Sequence, residues 1–540
     1  MSSLRNRIRV FDTKWRHGLP ARFYHSFPDP EEKPKISYSS SSRKSKTRKT
    51  PYSFIDDTDN NNNNTIINNM SIYSNSSSNK NHIGIADEFT DISKLSNGLS
   101  IASQDMHGLM SSFAFAVGSG SSSENPLTEC GATQMLELTA WNGTKTRTHE
   151  DIISEMERMG GMVQCISSRE SIMYCVDVLK VNLDPAMELL SDVIQNFEIS
   201  NDLIEQNKLV MQYQWNELPA DIISRDVLTM AAYNNSPLGQ YHYFPMDSNT
   251  GATLNNLRKD AIESFRLDHY YAENCFLCGA GVNHDEFVNL ADKHFKSLKS
   301  SSMLGIDTNS NKVKNSLYKG GLLMTQRELR EPFVKVAVGF EVGGWHTDDM
   351  VAVCVLQQLL GGGSSFSAGG PGKGMYTRLY RELLNRHYWV EGAESFVSLF
   401  NEVGLFGIDG ACKAEDVPKL LHVIIDQFVR LAYENVTDEE LDRAKNMLKS
   451  LMLMQLESRL VVCEDITRQI MTYGSRETPE SLIAKINSVS QEDLRNVAHK
   501  MIQFDPSIAV VGYDVSHVAQ YDKIKDYIKA YAKSVEQQYQ

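Results

Sequence analysis

Residues 333–339 read Phe333-Val334-Lys335-Val336-Ala337-Val338-Gly339, and a matching run, Phe113-Ala114-Phe115-Ala116-Val117-Gly118, stands about 220 residues earlier. Short aromatic and aliphatic runs that stop at glycine read as strands. The spacing around each predicts a helix next, over 127–140 in the first copy and 346–360 in the second. After the first, Thr148 opens another helix with Asp151 at the capping-box position. Ile152, Ile153, Met156 and Met159 form its apolar stripe, and Gly160-Gly161 ends it. Strands are expected at 163–167 and 172–178. Farther along, Ala186 to Phe197 and the helix from Asn201 find counterparts in Val417 to Phe428 and the helix from Thr437. A pattern that returns at this length is a duplicated unit rather than a solenoid. The expected fold class is therefore α+β: two homologous domains, each a mostly antiparallel sheet with helices packed on it, over residues 88–310 and 311–530.

Composition narrows what such a chain can do. Its 540 residues have the apolar and charged fractions of a globular protein. The longest apolar helix-like run, MVAVCVLQQLL from Met350, falls short of the ~20 residues of a membrane span, which argues against an integral membrane protein. Thirteen lysines and arginines against four acids give residues 1–50 a net charge of +9, so residues 51–540 carry −23 of the chain's total of −14. An acidic body disfavours nucleic acid and favours basic ligands. Eight irregularly spaced cysteines fit a reducing compartment. Cys275 and Cys278 lie in a strand-like run, where positions i and i+3 face opposite ways and cannot share a metal or a disulfide.

The first 27 residues carry Arg5, Arg7, Arg9, Lys14, Arg16 and Arg22 with one acid, Asp12, and no apolar h-region. That is a mitochondrial transit pattern, with removal expected after Tyr24. Residues 28–87 are rich in Ser, Asn and Lys and read as a disordered linker.

Seven of the fourteen residues from 361 to 374 are glycine: Gly361, Gly362, Gly363, Ser364, Ser365, Phe366, Ser367, Ala368, Gly369, Gly370, Pro371, Gly372, Lys373, Gly374. A phosphate cradle around Lys373 would need glycine at 367 and Ser or Thr at 374, and those positions hold Ser367 and Gly374. A dinucleotide fingerprint fails at Phe366 and Met375. What remains is a permissive loop that a partner molecule can approach closely, or a long flexible connection.

The segment Gly131 to Thr144, GATQMLELTAWNGT, resembles the helix of the pitrilysin-like, or inverzincin, metallopeptidases in which H-x-x-E-H binds zinc. There, His at i and i+4 share one helical face and the intervening Glu reaches the metal-bound water. Here the ligand positions are Gln134 and Leu138, only Glu137 is kept, and the family's third ligand position is Gln214. His284 and His294 complete neither zinc motif. The stretch GGGSSFSAGGPGKGMYTRLYREL is similar to the loop of a catalytically degenerate member of this family. The resemblance, over roughly residues 88–520, implies a non-catalytic chain with no cofactor of its own. It further implies a heterodimer with a zinc-bearing beta subunit in the mitochondrial matrix, and residues 361–374 as the contact for basic amphipathic presequence peptides. Related chains are core subunits of the respiratory cytochrome bc complex, which makes a structural core subunit of that complex the alternative, with peripheral association with that inner-membrane complex.

Overall fold

The computed structural model describes residues 89–243, 254, 257–306, 316–327, 332–365 and 374–539. The transit segment, the Ser/Asn/Lys-rich linker and residues 366–373 lie outside the described residues.

The first half begins with strands β1 (Asp91–Lys94), β2 (Ser100–Gln104) and β3 (Met110–Val117), followed by helices α1 (Ala132–Thr139) and α2 (His149–Met159). Strands β4 (Met162–Ser167) and β5 (Ile172–Leu179) come next, then α3 (Leu183–Gln195), α4 (Asn201–Glu217) and α5 (Ala220–Ala232). Helix α6 (Lys259–His269), β6 (Cys275–Ala280) and α7 (His284–Phe295) complete it. The second half repeats the order with β7 (Gly321–Gln326), β8 (Val334–Glu341), α8 (Met350–Leu360), a short β9 (Gly362–Ser364), β10 (Val390–Leu399) and β11 (Gly404–Cys412). It closes with α9 (Val417–Tyr433), α10 (Asp438–Leu456), α11 (Arg459–Tyr473), α12 (Pro479–Ser488), α13 (Gln491–Met501), β12 (Ser507–Gly512) and α14 (Tyr521–Tyr539).

The strands form two six-stranded sheets, in the orders β1-β2-β6-β3-β5-β4 and β7-β12-β8-β11-β10-β9. In each, one pair is parallel, β2 with β6 and β7 with β12, and the rest are antiparallel. Superposing the orders matches β4 with β10 and β3 with β8. Only β1 and β9 are then without counterparts. Strand β9 is the start of the glycine loop, laid along the strand that corresponds to the outer edge of the first sheet.

Strand alternation explains how both faces of each sheet are buried. Phe113, Phe115 and Val117 of β3 point into the core under α1–α4, whereas Ala114 points to the opposite face. In β8, Val334, Val336, Val338 and Phe340 face the second core while Ala337 faces away. The faces bearing small residues receive helices from the other half. Val462, Cys463, Ile466 and Ile470 of α11 cover Ala114, Cys175 and Cys278 of the first sheet, and Ile223, Val227 and Leu228 of α5 cover Ala337, Ala509 and Val511 of the second. At about 1.5–3 kcal/mol for each fully buried aliphatic side chain, this reciprocal exchange binds the halves together. Cys275 and Cys278 do lie on opposite faces of β6, Cys275 in the first core and Cys278 under α11.

Several expectations need correction. The first helix starts at Ala132 rather than 127, because residues 125–131 form turns and the buried Glu124 carboxylate accepts the N–H groups of Gly131 and Thr133 (2.9 and 2.7 Å) at its N-terminus. The helix expected from residue 346 starts at Met350, because Thr347 turns back onto Gly344. Helix α2 has its Thr148/Asp151 capping box and its Gly160 stop, but Ile153 is exposed and only Ile152, Met156 and Met159 are buried. Strands β1, β2 and β7 were not anticipated. Among the described residues, no helix is long and apolar enough to cross a membrane.

Candidate functional site

Helix α1 presents Gln134, Glu137 and Leu138 toward α4 and the end of β4. The Gln134 Nε2 donates to Gln214 Oε1 at 3.5 Å, so two of the three positions at which the family's zinc is held bind each other across the helices. Leu138 packs against the first core cluster. The Glu137 carboxylate accepts from the backbone N–H of Ser167 at 3.1 Å and from its hydroxyl, which fixes the last residue of β4. Burial raises the Glu137 pKa, with the two Ser167 bonds opposing. Glu137 is therefore a half-buried strut for the end of β4. These donors do not fit zinc: leucine has no lone pair, the amides are paired, and the carboxylate is turned to Ser167.

The glycine loop hangs on two stems that touch. Helix α8 ends at Gly361, whose backbone has φ 58° and ψ −127° and leaves no room for a side chain, since a Cβ would sit 2.4 Å from Thr377 Cγ2. Gly362 has φ 117°, and a Cβ there would lie 2.1 Å from the Ala393 carbonyl. This close approach lets β9 pair antiparallel with β10, in the register Gly362↔Glu394, Gly363↔Ala393, Ser364↔Gly392. The buried Ser395 donates its N–H and its hydroxyl to the Gly361 carbonyl, both at 2.9 Å. Ser365 does the same to Glu391 O at 3.0 and 2.8 Å.

The returning stem begins at Gly374 (φ 72°), where Thr377 donates both its N–H and its hydroxyl to the Gly374 carbonyl (3.0 and 2.7 Å). A π-helical turn over Leu379–Leu384 follows, buried through Leu379 and Leu383. Arg378, only 6% exposed, forms a two-pronged ion pair with Glu440, Nη2 to Oε2 at 3.1 Å and Nε to Oε1 at 3.3 Å. Burial would raise the Glu440 pKa, but the Arg378 guanidinium holds it below the usual carboxylate range. Glu440 is also the capping-box residue of α10, so one carboxylate ties the loop to a helix start. Tyr380 Oη reaches across to Ser364 O at 3.3 Å and closes the base. Of the expected contact residues, Gly361–Ser365 and Gly374 are thus built into this base, and 366–373 lie outside the described residues. The first-half helix α1 and the loop are separate places in the fold.

Of the residues that fix these places, Thr437 stands in the sequence as a helix start, and Glu440 completes a readable S/T-x-x-E signal that went unread. Ser167 and Ser395 carried none, because each acts only through a strand partner.

Two family models span these stretches of sequence. The model described as "Insulinase (Peptidase family M16)" matches residues 100–245, and "Peptidase M16 inactive domain" matches residues 256–448. A "Mitochondrial-processing peptidase subunit alpha" of Solanum tuberosum is 34% identical over 443 residues, covering 81% of this chain and 84% of the relative. This chain belongs to peptidase family M16. Within that family, the alpha subunit of Neurospora crassa is 31% identical over 77% of this chain and 83% of its own, and the human one is 29% identical over 81% and 84%. A chain of "Complex III2 from Candida albicans, Inz-5 bound" shares the M16 fold, with a TM-score of 0.68 at 16% identity over 81% of this chain and 99% of that one.

Proposed function

We propose that the chain is the substrate-recognising, non-catalytic alpha subunit of a mitochondrial-processing peptidase. In this reading it works in the matrix, holding basic amphipathic presequences for cleavage by a zinc-bearing beta subunit. The observation that carries it is the glycine loop, residues 361–374, slung from a closed base whose first strand lies at the free end of the second sheet. An edge strand made of glycines offers main-chain groups to an extended peptide without imposing side-chain specificity, which suits a variable substrate. The net charge of −23 on residues 51–540 favours a basic one. Residues 88–310 and 311–530 serve as the two domains of this subunit, residues 1–27 as its transit segment and 28–87 as a linker.

The paired amides Gln134 and Gln214, Leu138 and the strut-like Glu137 support placing no zinc and no hydrolysis on this chain. Glu137→Gln in the assembled peptidase should leave the rate of precursor cleavage within about twofold. A fall of the order of 10³, as expected for loss of a general base, would put chemistry here. The alternative, a structural core subunit of the cytochrome bc complex, rests on likeness of fold alone.

A further inference from the structure

Helix α10 has two apolar stripes, and only one is used. Leu441, Ala444, Leu448 and Met452 recur at i, i+3, i+7 and i+11 and pack against the second core. Met447, Leu451 and Met454 recur at i, i+4 and i+7, about 100° round the helix from the first set. Leu451 is 39% exposed and Met454 60% exposed, and neither belongs to a core cluster among the described residues. Two lysines on this part of the helix are turned elsewhere: Lys445 Nζ donates to Asn487 O and Lys449 Nζ to Asn487 Oδ1, both at 2.9 Å.

The second stripe adjoins the glycine loop. A Cβ at Gly374 would meet Met447 Cε at 3.6 Å, so the end of the loop rests beside the first residue of the stripe, and Met375 and Tyr376 follow with 37% and 71% exposure. The internal repeat adds a second observation. Counting from the caps Ser200 and Thr437, Leu451 occupies in α10 the place that Gln214 occupies in α4. The position that faces the site helix in the first half is thus apolar in the second.

We infer that Met447, Leu451 and Met454 form an apolar subsite that takes the hydrophobic side chains of a basic amphipathic peptide; this rests on the peptide-recognition reading above. Charge selects the occupant. The acidic body attracts the cationic face of such a peptide, and its apolar face then needs a surface without lysines. Two methionines of the three suit it to side chains of differing shape, because the unbranched thioether repacks at little cost. The loop handles the backbone, and the stripe reads whether the other side of the peptide is greasy.

The test uses the assembled heterodimer and two fluorescent 20-residue peptides with identical Lys/Arg positions, one with leucines on the opposite face and one with serines there. By fluorescence anisotropy, the unaltered complex should bind the leucine peptide about tenfold more tightly. Leu451→Ser with Met454→Ser should abolish that preference while leaving the serine peptide unchanged. Leu451→Met with Met454→Leu should keep it, and Val181→Ser, 85% exposed on the first half, should have no effect. An undiminished preference in the double-serine variant overturns the inference, as does impaired assembly with unchanged peptide affinity, which would make the stripe a subunit interface. If a complex with a shortened loop loses binding while the double-serine variant keeps it, only this inference fails. If neither change matters, the recognition reading fails as well.

Discussion

Replacing residues 366–373 with Ser-Gly-Ser-Gly weakens binding of a basic amphipathic presequence to the heterodimer by about a hundredfold, or roughly 2.7 kcal/mol, and leaves the heterodimer assembled. Assembly survives because the replacement spares the base: Gly361 on Ser395, β9 on β10, and Arg378 on Glu440 all remain. Binding falls because the base alone offers too little main chain for an extended peptide to pair with. The check is an anisotropy titration beside size-exclusion chromatography of the complex. Unchanged affinity would show that the loop is merely a connection.

The second large effect is on stability. Arg169, in the turn between β4 and β5, places Nη2 2.6 Å from Asp226 Oδ1 and donates Nε to Leu238 O at 3.1 Å. Asp226 is 4% exposed and lies on α5, the helix that covers the second sheet. Burial pushes its carboxyl pKa up, with Arg169 opposing, so this charge tolerates removal of its partner poorly. Arg169→Ala should cost about 3–5 kcal/mol, seen as a lower urea midpoint. Arg169→Ala with Asp226→Asn should recover much of that loss, because the uncompensated charge is gone. Equal midpoints for the single variant and the unaltered chain would mean that the pair is not needed to hold the β4–β5 turn to α5.

Legibility in the sequence followed the range of the forces at work. Strands β3 and β8 were readable because short aromatic and aliphatic runs that stop at glycine are a local signal. The Thr148/Asp151 cap was readable for the same reason. The start of α1 was not, because Glu124 caps it from outside the helix, seven residues before Gly131. The exchange of α5 and α11 between sheets left no mark, since an amphipathic stripe says that a face is buried but not what buries it. Strand β9 was the hardest to anticipate. Glycine has no preference for extended structure, and Gly362–Ser364 is a strand only because the absence of a Cβ lets it meet Ala393. At the first-half helix, the loss of ligands at Gln134, Leu138 and Gln214 was plain from residue chemistry. The capture of Glu137 by Ser167 was not, because Ser167 lies thirty residues away and meets it only once β4 is in place.

The proposed division of labour, recognition here and hydrolysis elsewhere, is tested most directly by reconstitution. Cleavage of a presequence-bearing precursor is measured with this chain alone, with a histidine-bearing beta subunit alone, and with both. Cleavage is expected in the mixture and essentially none from either chain by itself; full activity from the beta subunit alone, or any zinc-dependent activity from this chain alone, would contradict the proposed division.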